Sequence, residues 1–289
     1  MFPDFLGIGA QKAGTTWLYA NLKKHPDLWL PPIKELHYFN YRQDDYMQNP
    51  IDKFKSKYWQ KIFWEQINSA MRDKDLAMLK WNLRYFLGRQ NDEWYASLFE
   101  PGKGKVKGEI TPDYTALDKS FVSHIHTIMP GTKLIFMLRN PIERAWSYTF
   151  SHIKMDGKTV DSIPVKTLIN RCTNNYSRMR GNYKRVLEIW QSYYPEEQFF
   201  IGFFEEVKEC PADLLFRVCE FLSVEASSEF IQKIDTRKVY SFGNTGDIPD
   251  EVRLELARIY YDEIKYLSLK YGGYASAWLD YADECLSCS

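Results

Sequence analysis

The chain has 289 residues, of which 45% are hydrophobic and 16% aromatic, and this composition excludes a low-complexity disordered protein. Its 38 basic and 38 acidic residues cancel, so it lacks the basic surplus that electrostatic binding to nucleic acid requires. The apolar stretch at residues 5–10 is far shorter than a spanning helix. We therefore expect an ordered, soluble globular protein with no nucleic-acid partner and no membrane span.

Short hydrophobic runs bounded by turn residues alternate with helical patterns, which predicts βαβ units around a parallel sheet. The fold class is therefore α/β, and we expect a single domain over residues 1–289. The predicted strands are Asp4–Gly9, Lys105–Ile110, Thr132–Leu138 and Gln198–Phe204. The predicted helices are Thr15–Lys24, Pro141–Lys154, Ser177–Tyr193, Pro211–Leu222 and a last helix from Pro249 to Gly272, with irregular helices over Asp44–Leu76.

The cysteines favour a reducing compartment. There are five, an odd number, and they are mostly isolated, whereas a disulfide framework is dense and even. We therefore expect a cytoplasmic protein. Cys285 and Cys288 have CxxC spacing, but no second pair or nearby histidine completes a zinc site. No metal site is predicted, and the CxxC segment is expected to be frayed, within a C-terminal tail of residues 273–289.

The segment most informative about function is residues 5–18, FLGIGAQKAGTTWL. A buried strand runs into a turn that contains Gly9 and Gly14, and a helix begins near Thr15. The free N–H groups and the dipole of such a helix N-terminus form an anion site, to which Lys12 and the threonine hydroxyls add donors. The alternative is an ordinary glycine-containing turn between a strand and a helix.

The kinase-type phosphate loop, GxxxxGK followed by Ser or Thr, matches this segment only in part. Gly9 and Gly14 have the right spacing, but Thr15 stands at the lysine position and the lysine is residue 12. No acidic residue after a predicted strand is a persuasive Mg²⁺ ligand. The loop therefore predicts an anion site that requires no metal.

Arg139 follows a predicted strand, at the edge where open α/β sheets bind ligands. Asn140 is a suitable N-cap, Pro141 fits the first helical position, and Glu143 would complete a capping box. A cation at a helix start opposes the helix dipole, and an anionic ligand would remove that conflict. The pattern therefore favours phosphate binding by Arg139 over the role of a surface cation.

Five segments in order resemble the sulfotransferases that use 3′-phosphoadenosine 5′-phosphosulfate (PAPS). The motifs come nearest to the heparan sulfate sulfotransferase-like and bacterial branch. They are the 5′-phosphosulfate loop QKAGTTWL at residues 11–18, PIKELHYF at 32–39, GEITPDY at 108–114, KLIFMLRNPIERAWS at 133–147 and RGNY at 180–183. The resemblance spans residues 4–272 and implies a P-loop-like three-layer fold, with a central parallel sheet flanked by helices.

The resemblance also implies a PAPS-dependent enzyme whose nucleotide product is 3′,5′-ADP. Lys12 would stabilise the charge that builds on the leaving phosphate oxygen. The remaining residues that the resemblance assigns to the nucleotide are Ala13, Gly14, Thr15, Thr16 and Trp17 for the 5′-phosphate, Arg139 and Ser147 for the 3′-phosphate, and Tyr183, Lys238 and Asn244 as further contacts. Lys238 and Asn244 belong to a loop that would close over the nucleotide.

Glu35 is the predicted general base, because the acceptor hydroxyl must lose its proton as it attacks sulfur. Glu35 and His37 are two residues apart, so both would face one side of an extended segment, and Pro31 and Pro32 favour that conformation up to Lys34. The Lys-Glu-x-His pattern of the family supports Glu35. His37 is the alternative base, since histidine has this role in the cytosolic aryl and steroid branch.

The acceptor is expected to be a hydroxyl of a small molecule, a lipid or a saccharide. Ile110 stands where heparan-type enzymes usually carry lysine, which favours a soluble bacterial-type member over a glycosaminoglycan enzyme. Two alternatives have other chemistry. A P-loop nucleotide kinase would depend strictly on Mg²⁺, and a non-catalytic nucleotide- or saccharide-binding protein would keep Lys12 and Arg139 but be indifferent to Glu35.

Overall fold

The structure is a computed structural model that describes residues 1–44, 54–234 and 246–287. At its centre is a five-stranded sheet with the order β2-β3-β1-β4-β5, and each neighbouring pair is parallel. The strands are β1 Phe5–Gly9, β2 Leu28–Trp29, β3 Val106–Ile110, β4 Lys133–Leu138 and β5 Phe199–Phe203. The predicted α/β class and parallel sheet are thus confirmed.

The inner strands are buried on both faces, which explains why they read as continuous hydrophobic runs. All five residues of β1 are buried, as are five of the six in β4. This pattern predicts four of the strands. It misses the edge strand β2, because two residues are too few to show any periodicity.

Helices flank this sheet, and we number those of the described residues in chain order. They are α1 Thr15–Leu22, α2 Tyr38–Gln43, α3 Lys57–Arg72, α4 Leu76–Leu87, α5 Asp92–Ser97, α6 Lys119–Ile128, α7 Pro141–Met155, α8 Val165–Thr173, α9 Asn175–Gly181, α10 Tyr183–Gln191, α11 Phe204–Glu209, α12 Pro211–Leu222, α13 Ser228–Gln232, α14 Asp250–Tyr271 and α15 Gly273–Ser287. In the stretch expected to hold irregular helices, α3 is a regular helix of 16 residues.

The predicted helix Ser177–Tyr193 is wrong, because the structure has two shorter helices there. Helix α9 ends at Gly181, and α10 begins at Tyr183. Asn182 lies between them in a non-helical conformation, and its side chain accepts a hydrogen bond from the N–H of Arg185. An asparagine that caps a new helix start therefore interrupts the apolar periodicity.

The frayed tail expected after residue 272 is also wrong. Gly273–Ser287 forms α15, which packs against α14 and buries Ala275, Trp278 and Ala282. The indole N–H of Trp278 donates to the carboxylate of Glu205 at 2.8 Å. The buried apolar residues at helical spacing and this hydrogen bond therefore hold the segment against the rest of the protein. Cys285 is half-buried on the same helix, whereas Cys288 lies outside the described residues.

Candidate active site

The loops that follow β1, β4 and β5 meet at the carboxyl edge of the sheet. The guanidinium of Arg139, after β4, donates to the carbonyl oxygen of Lys12, after β1, at 3.1 Å. The same guanidinium lies 4.4 Å from the ring centroid of Phe204, at the start of α11 after β5. Parallel strands end at a common edge, so residues distant in sequence share one ligand site there.

Gly14 is the N-cap of α1 and has a left-handed backbone conformation, with φ of 83°. A Cβ at this position would lie 3.2 Å from the side chains of Phe204 and Val207, so a larger residue would crowd both and would also be strained at this φ. The N–H of Leu18 donates to the carbonyl of Gly14, which closes the first helical turn. The first turn of any helix presents amides to an outside acceptor, as an anion site requires.

The other predicted phosphate-loop residues lie around this N-cap. Ala13 and Thr15 are buried, and Lys12 and Thr16 are half-buried. The indole of Trp17 packs in the hydrophobic core with 4% of the residue exposed, so any ligand contact of Trp17 involves its backbone. The predicted strand, turn and helix are thus present, and the cations Lys12 and Arg139 meet beside the turn.

Two cations lie close together at this N-cap. Burial lowers the pKa of Lys12, the positive charge of Arg139 lowers it further, and the negative charge of Glu35 opposes both. Neighbouring like charges in a partly buried place repel, and a bound anion would relieve that repulsion. The same interactions place Lys12 within electrostatic range of the predicted base.

Arg139 is nearly buried, with 10% of its side chain exposed. Its Nη2 donates to Glu143 at 3.1 Å, and Glu143 therefore does not complete the predicted capping box. The cap comes from Asn140 alone, whose Oδ1 accepts from the N–H of Ile142 at 3.0 Å. The charge conflict expected at this helix start is reduced within the protein, because Glu143 is within reach of the guanidinium.

Ser147 lies in the second turn of α7 and is buried. Tyr183 is fully buried, and its hydroxyl donates to the carbonyl oxygen of Arg139 at 3.0 Å. In this structure Tyr183 therefore supports the backbone of Arg139. Lys238 and Asn244 lie outside the described residues.

Glu35 and His37 come together, but not on an extended segment. Both residues have left-handed backbone conformations, with φ of 63° and 54°, so the predicted extended conformation is wrong. A carboxylate oxygen of Glu35 nevertheless lies 3.4 Å from Nε2 of His37. The other carboxylate oxygen contacts the ammonium of Lys34. A tight bend, not a strand, creates the pair.

The charges of this pair reinforce each other. Burial alone would raise the pKa of Glu35, but the hydrogen bond to His37 and the positive charge of Lys34 lower it to about 2. Burial alone would lower the pKa of His37, but Glu35, Asp113 and Glu109 raise it. Glu35 is therefore an anion at neutral pH, and the imidazole is biased towards its protonated form.

Several residues beside this pair were missed. Arg180 donates from Nε to Asp113 at 2.7 Å and stacks on the ring of Tyr176, with 3.2 Å to the ring centroid. The other carboxylate oxygen of Asp113 lies 3.9 Å from Nδ1 of His37. Arg180 and Asp113 belong to two of the segments that carry the family resemblance, so the motifs could have marked them as candidate site residues. Their pairing across 67 positions was not readable from the chain.

Glu109 is the most deeply buried of the missed residues and lies near the end of β3.

Among residues 1–44, 54–234 and 246–287, no group of three acidic, histidine or cysteine side chains is arranged to hold a metal ion. Over the same ranges, no helix combines the length and apolarity needed to cross a bilayer.

Comparisons with known proteins identify the family of this chain. A model described as "Sulfotransferase family" matches residues 3–228. The bifunctional heparan sulfate N-deacetylase/N-sulfotransferase of Drosophila melanogaster is 25% identical over 243 residues, which cover 77% of this chain and 20% of that protein. Carbohydrate sulfotransferase 15 of Rattus norvegicus is 23% identical over 270 residues, which cover 81% and 46%.

The chain thus spans less than half the length of these curated relatives. The crystal structure of a sulfotransferase from Alicyclobacillus acidocaldarius has the same fold, with a TM-score of 0.65 at 23% identity, covering 96% of this chain and 99% of that one. Because the family match extends from the first strand to beyond the last, the protein belongs to the sulfotransferase family.

Proposed function

We propose that the protein is a sulfotransferase that moves a sulfo group from PAPS to a hydroxyl of an acceptor, and that the acceptor is a saccharide. The observation that carries the proposal is the 3.1 Å hydrogen bond from the guanidinium of Arg139 to the carbonyl oxygen of Lys12, with Glu35 near enough for its charge to raise the pKa of Lys12. A cationic anion site and a carboxylate base therefore share one sheet edge. The saccharide class rests on the two curated relatives, whose names specify heparan sulfate and carbohydrate.

The residues at the edge fit a doubly phosphorylated nucleotide. The N-terminus of α1, capped by Gly14, suits the 5′-phosphosulfate, and Lys12 adds a positive charge there. Arg139 offers a planar guanidinium already oriented by Glu143 and Phe204, and Ser147 offers a hydroxyl. We assign the 5′-phosphosulfate to the first set and the 3′-phosphate to the second.

The transfer step needs one proton acceptor and one site for developing negative charge. The acceptor oxygen forms a bond to sulfur while the bond from sulfur to the bridging phosphate oxygen breaks. The electron pair of the broken bond stays on that oxygen, where Lys12 stabilises it. The hydroxyl proton passes to Glu35, which we assign as general base. The products are the sulfated acceptor and 3′,5′-ADP.

His37 and Lys34 set the basicity of Glu35 in this scheme. A carboxylate with a pKa of about 2 is a weak base, and Lys34 is one cause of that low value. We propose that the acceptor hydroxyl takes the place of Lys34 beside Glu35. Loss of the ammonium contact raises the pKa of Glu35 as the acceptor arrives, while His37 keeps the carboxylate oriented.

Calorimetric titration with 3′,5′-ADP, against 5′-AMP and Mg·ATP, tests the donor assignment. We expect tight binding of 3′,5′-ADP without added metal and weak binding of the other two. A preference for Mg·ATP would instead favour the nucleotide kinase. Binding of 3′,5′-ADP without sulfation of any saccharide, lipid or small-molecule hydroxyl would favour the non-catalytic nucleotide-binding protein.

A further inference from the structure

Glu109 has a carboxylate that is saturated with hydrogen bonds although only 1% of the residue is exposed. One oxygen accepts from the hydroxyls of Tyr95 and Tyr114, at 2.5 and 2.6 Å. The other accepts from the hydroxyl of Thr111 at 2.7 Å and from the backbone N–H of Leu36 at 3.4 Å. Four donors match the acceptor capacity of an ionised carboxylate.

The bond to Leu36 connects β3 to the bend formed by residues 35–37. Leu36 lies between Glu35 and His37, both of which have positive φ. A left-handed conformation costs about 1–2 kcal/mol for a residue other than glycine, so surrounding contacts must hold this bend in place. Leu36 supplies two such contacts, its side chain in the hydrophobic core and its amide on Glu109.

The charge of Glu109 acts on His37 as well. Three negative groups raise the pKa of His37. They are Glu35 in the same bend, Asp113 after the end of β3, and Glu109 on β3. Lys34 contacts the first of these carboxylates, and Arg180 pairs with the second. Burial raises the pKa of Glu109, and the hydrogen bonds from its four donors lower it again. These donors are all neutral hydroxyl or amide groups, so the ionised carboxylate keeps its full negative charge.

We propose that Glu109 is a positioning residue for the Glu35–His37 pair: its hydrogen bond to Leu36 holds the bend, and its negative charge keeps His37 in the protonated form that binds Glu35. The effect of Glu109 on catalysis rests on the proposed sulfotransferase activity. Its hydrogen bond to Leu36 and its charge beside His37 do not depend on that activity. Glu109 touches neither the donor nor the acceptor in this scheme and acts only through the bend.

Three variants separate the hydrogen bond from the charge. Glu109→Gln keeps an oxygen that accepts from the amide of Leu36. Its NH₂ group can donate to the two tyrosine hydroxyls, because each hydroxyl can rotate to accept a hydrogen bond. This variant therefore removes only the negative charge. Glu109→Leu removes both the charge and the acceptor. Tyr95→Phe is the matched control, because it removes a buried hydrogen bond to the same carboxylate and leaves the Leu36 contact in place.

The first measurement is independent of activity. We expect NMR titration of the His37 ring, assigned by its loss in His37→Gln, to show a pKa about 1 unit lower in Glu109→Gln than in the wild type. Hydrogen exchange at the Leu36 amide should be unchanged in Glu109→Gln and faster in Glu109→Leu. An unchanged His37 pKa in the first variant, or unchanged exchange in the second, overturns the proposal.

The second measurement tests the catalytic consequence. For Glu109→Gln we expect kcat to fall by about tenfold or more, with the KM for PAPS and the Kd for 3′,5′-ADP unchanged. The basic limb of the pH profile should move to lower pH, following His37. Tyr95→Phe should keep kcat within about twofold of the wild type.

A purely structural role makes a different prediction. It requires that the three variants lose activity in proportion to their loss of thermal stability, and that result overturns the proposal. If the wild type has no sulfotransferase activity, the proposed function fails. The NMR and exchange results then still decide whether Glu109 positions the bend.

Discussion

The carboxylate of Glu35 lies 3.4 Å from Nε2 of His37, although the backbone at both residues is left-handed. In a strand, the same spacing would place both side chains on one face without bringing them into contact. The bend brings them together and leaves the second carboxylate oxygen to Lys34. This arrangement is the basis for the first two predictions.

Replacement of Glu35 by glutamine should reduce turnover by about 100-fold or more, because the amide cannot accept the proton of the acceptor hydroxyl. The variant keeps the shape of the side chain, so the affinity for 3′,5′-ADP should remain nearly unchanged. Turnover with PAPS and calorimetry with 3′,5′-ADP measure the two effects. Glu188→Gln, on the exposed face of α10, is the control. Wild-type turnover in Glu35→Gln would remove Glu35 from the mechanism.

Replacement of Lys34 by methionine should move the acid limb of the kcat/KM profile to higher pH. Lys34 lowers the pKa of Glu35, so its removal raises that pKa, and the carboxylate is protonated at a higher pH as the solution is acidified. The profile is measured from about pH 2 to pH 9 under saturating PAPS, so that it includes the wild-type limb, which follows the Glu35 pKa of about 2. Lys184→Met removes an exposed lysine that lies near Glu188 on α10, and it should leave the limb in place. A limb that stays in place or moves down in Lys34→Met contradicts the prediction.

Replacement of Arg139 by alanine should weaken binding of 3′,5′-ADP by roughly 1.5–3 kcal/mol, the usual loss for a hydrogen bond to a charged group. That is about a 10- to 150-fold increase in Kd by calorimetry. The effect on 5′-AMP should be smaller, because 5′-AMP lacks the 3′-phosphate. Arg171→Ala removes a partly exposed arginine that pairs with Asp156, and it should leave both affinities unchanged. Equal losses for the two nucleotides would contradict the assignment to the 3′-phosphate.

Replacement of Gly14 by alanine should lower both stability and nucleotide affinity. The residue has φ of 83°, and the new Cβ would lie 3.2 Å from Phe204 and Val207. Gly157→Ala is a matched control, because Gly157 has φ of 68° and a Cβ added there would meet nothing within 4 Å. We expect about 1–2 kcal/mol of strain in both variants and a further loss only in Gly14→Ala. Denaturant titration measures the free energy of unfolding, and calorimetry with 3′,5′-ADP measures the nucleotide affinity. Equal stabilities with unchanged affinity would refute a tight approach at Gly14.

Much of the fold was predictable because parallel strands covered on both faces are continuous apolar runs. The anion site was predictable for a related reason. Lys12 and Arg139 each follow such a run, and the carboxyl ends of parallel strands meet at one edge. The helix break at Asn182 and the packing of α15 were not predicted, since a single capping side chain and a helix–helix contact decide them.

The sequence by itself determined which chemical groups the candidate site contains: a lysine in a glycine turn after a strand, an arginine between a strand and a helix, and a glutamate near a histidine. Only the tertiary structure decided how those groups are held and charged. Glu143 pairs with Arg139, Tyr183 supports its backbone, and Glu109 reaches the amide of Leu36. Leu36 and Glu109 are 73 positions apart, and no local periodicity encodes a hydrogen bond over that distance. Their contact arises because burying the sheet brings the bend over the end of β3, where a carboxylate must find donors in place of water.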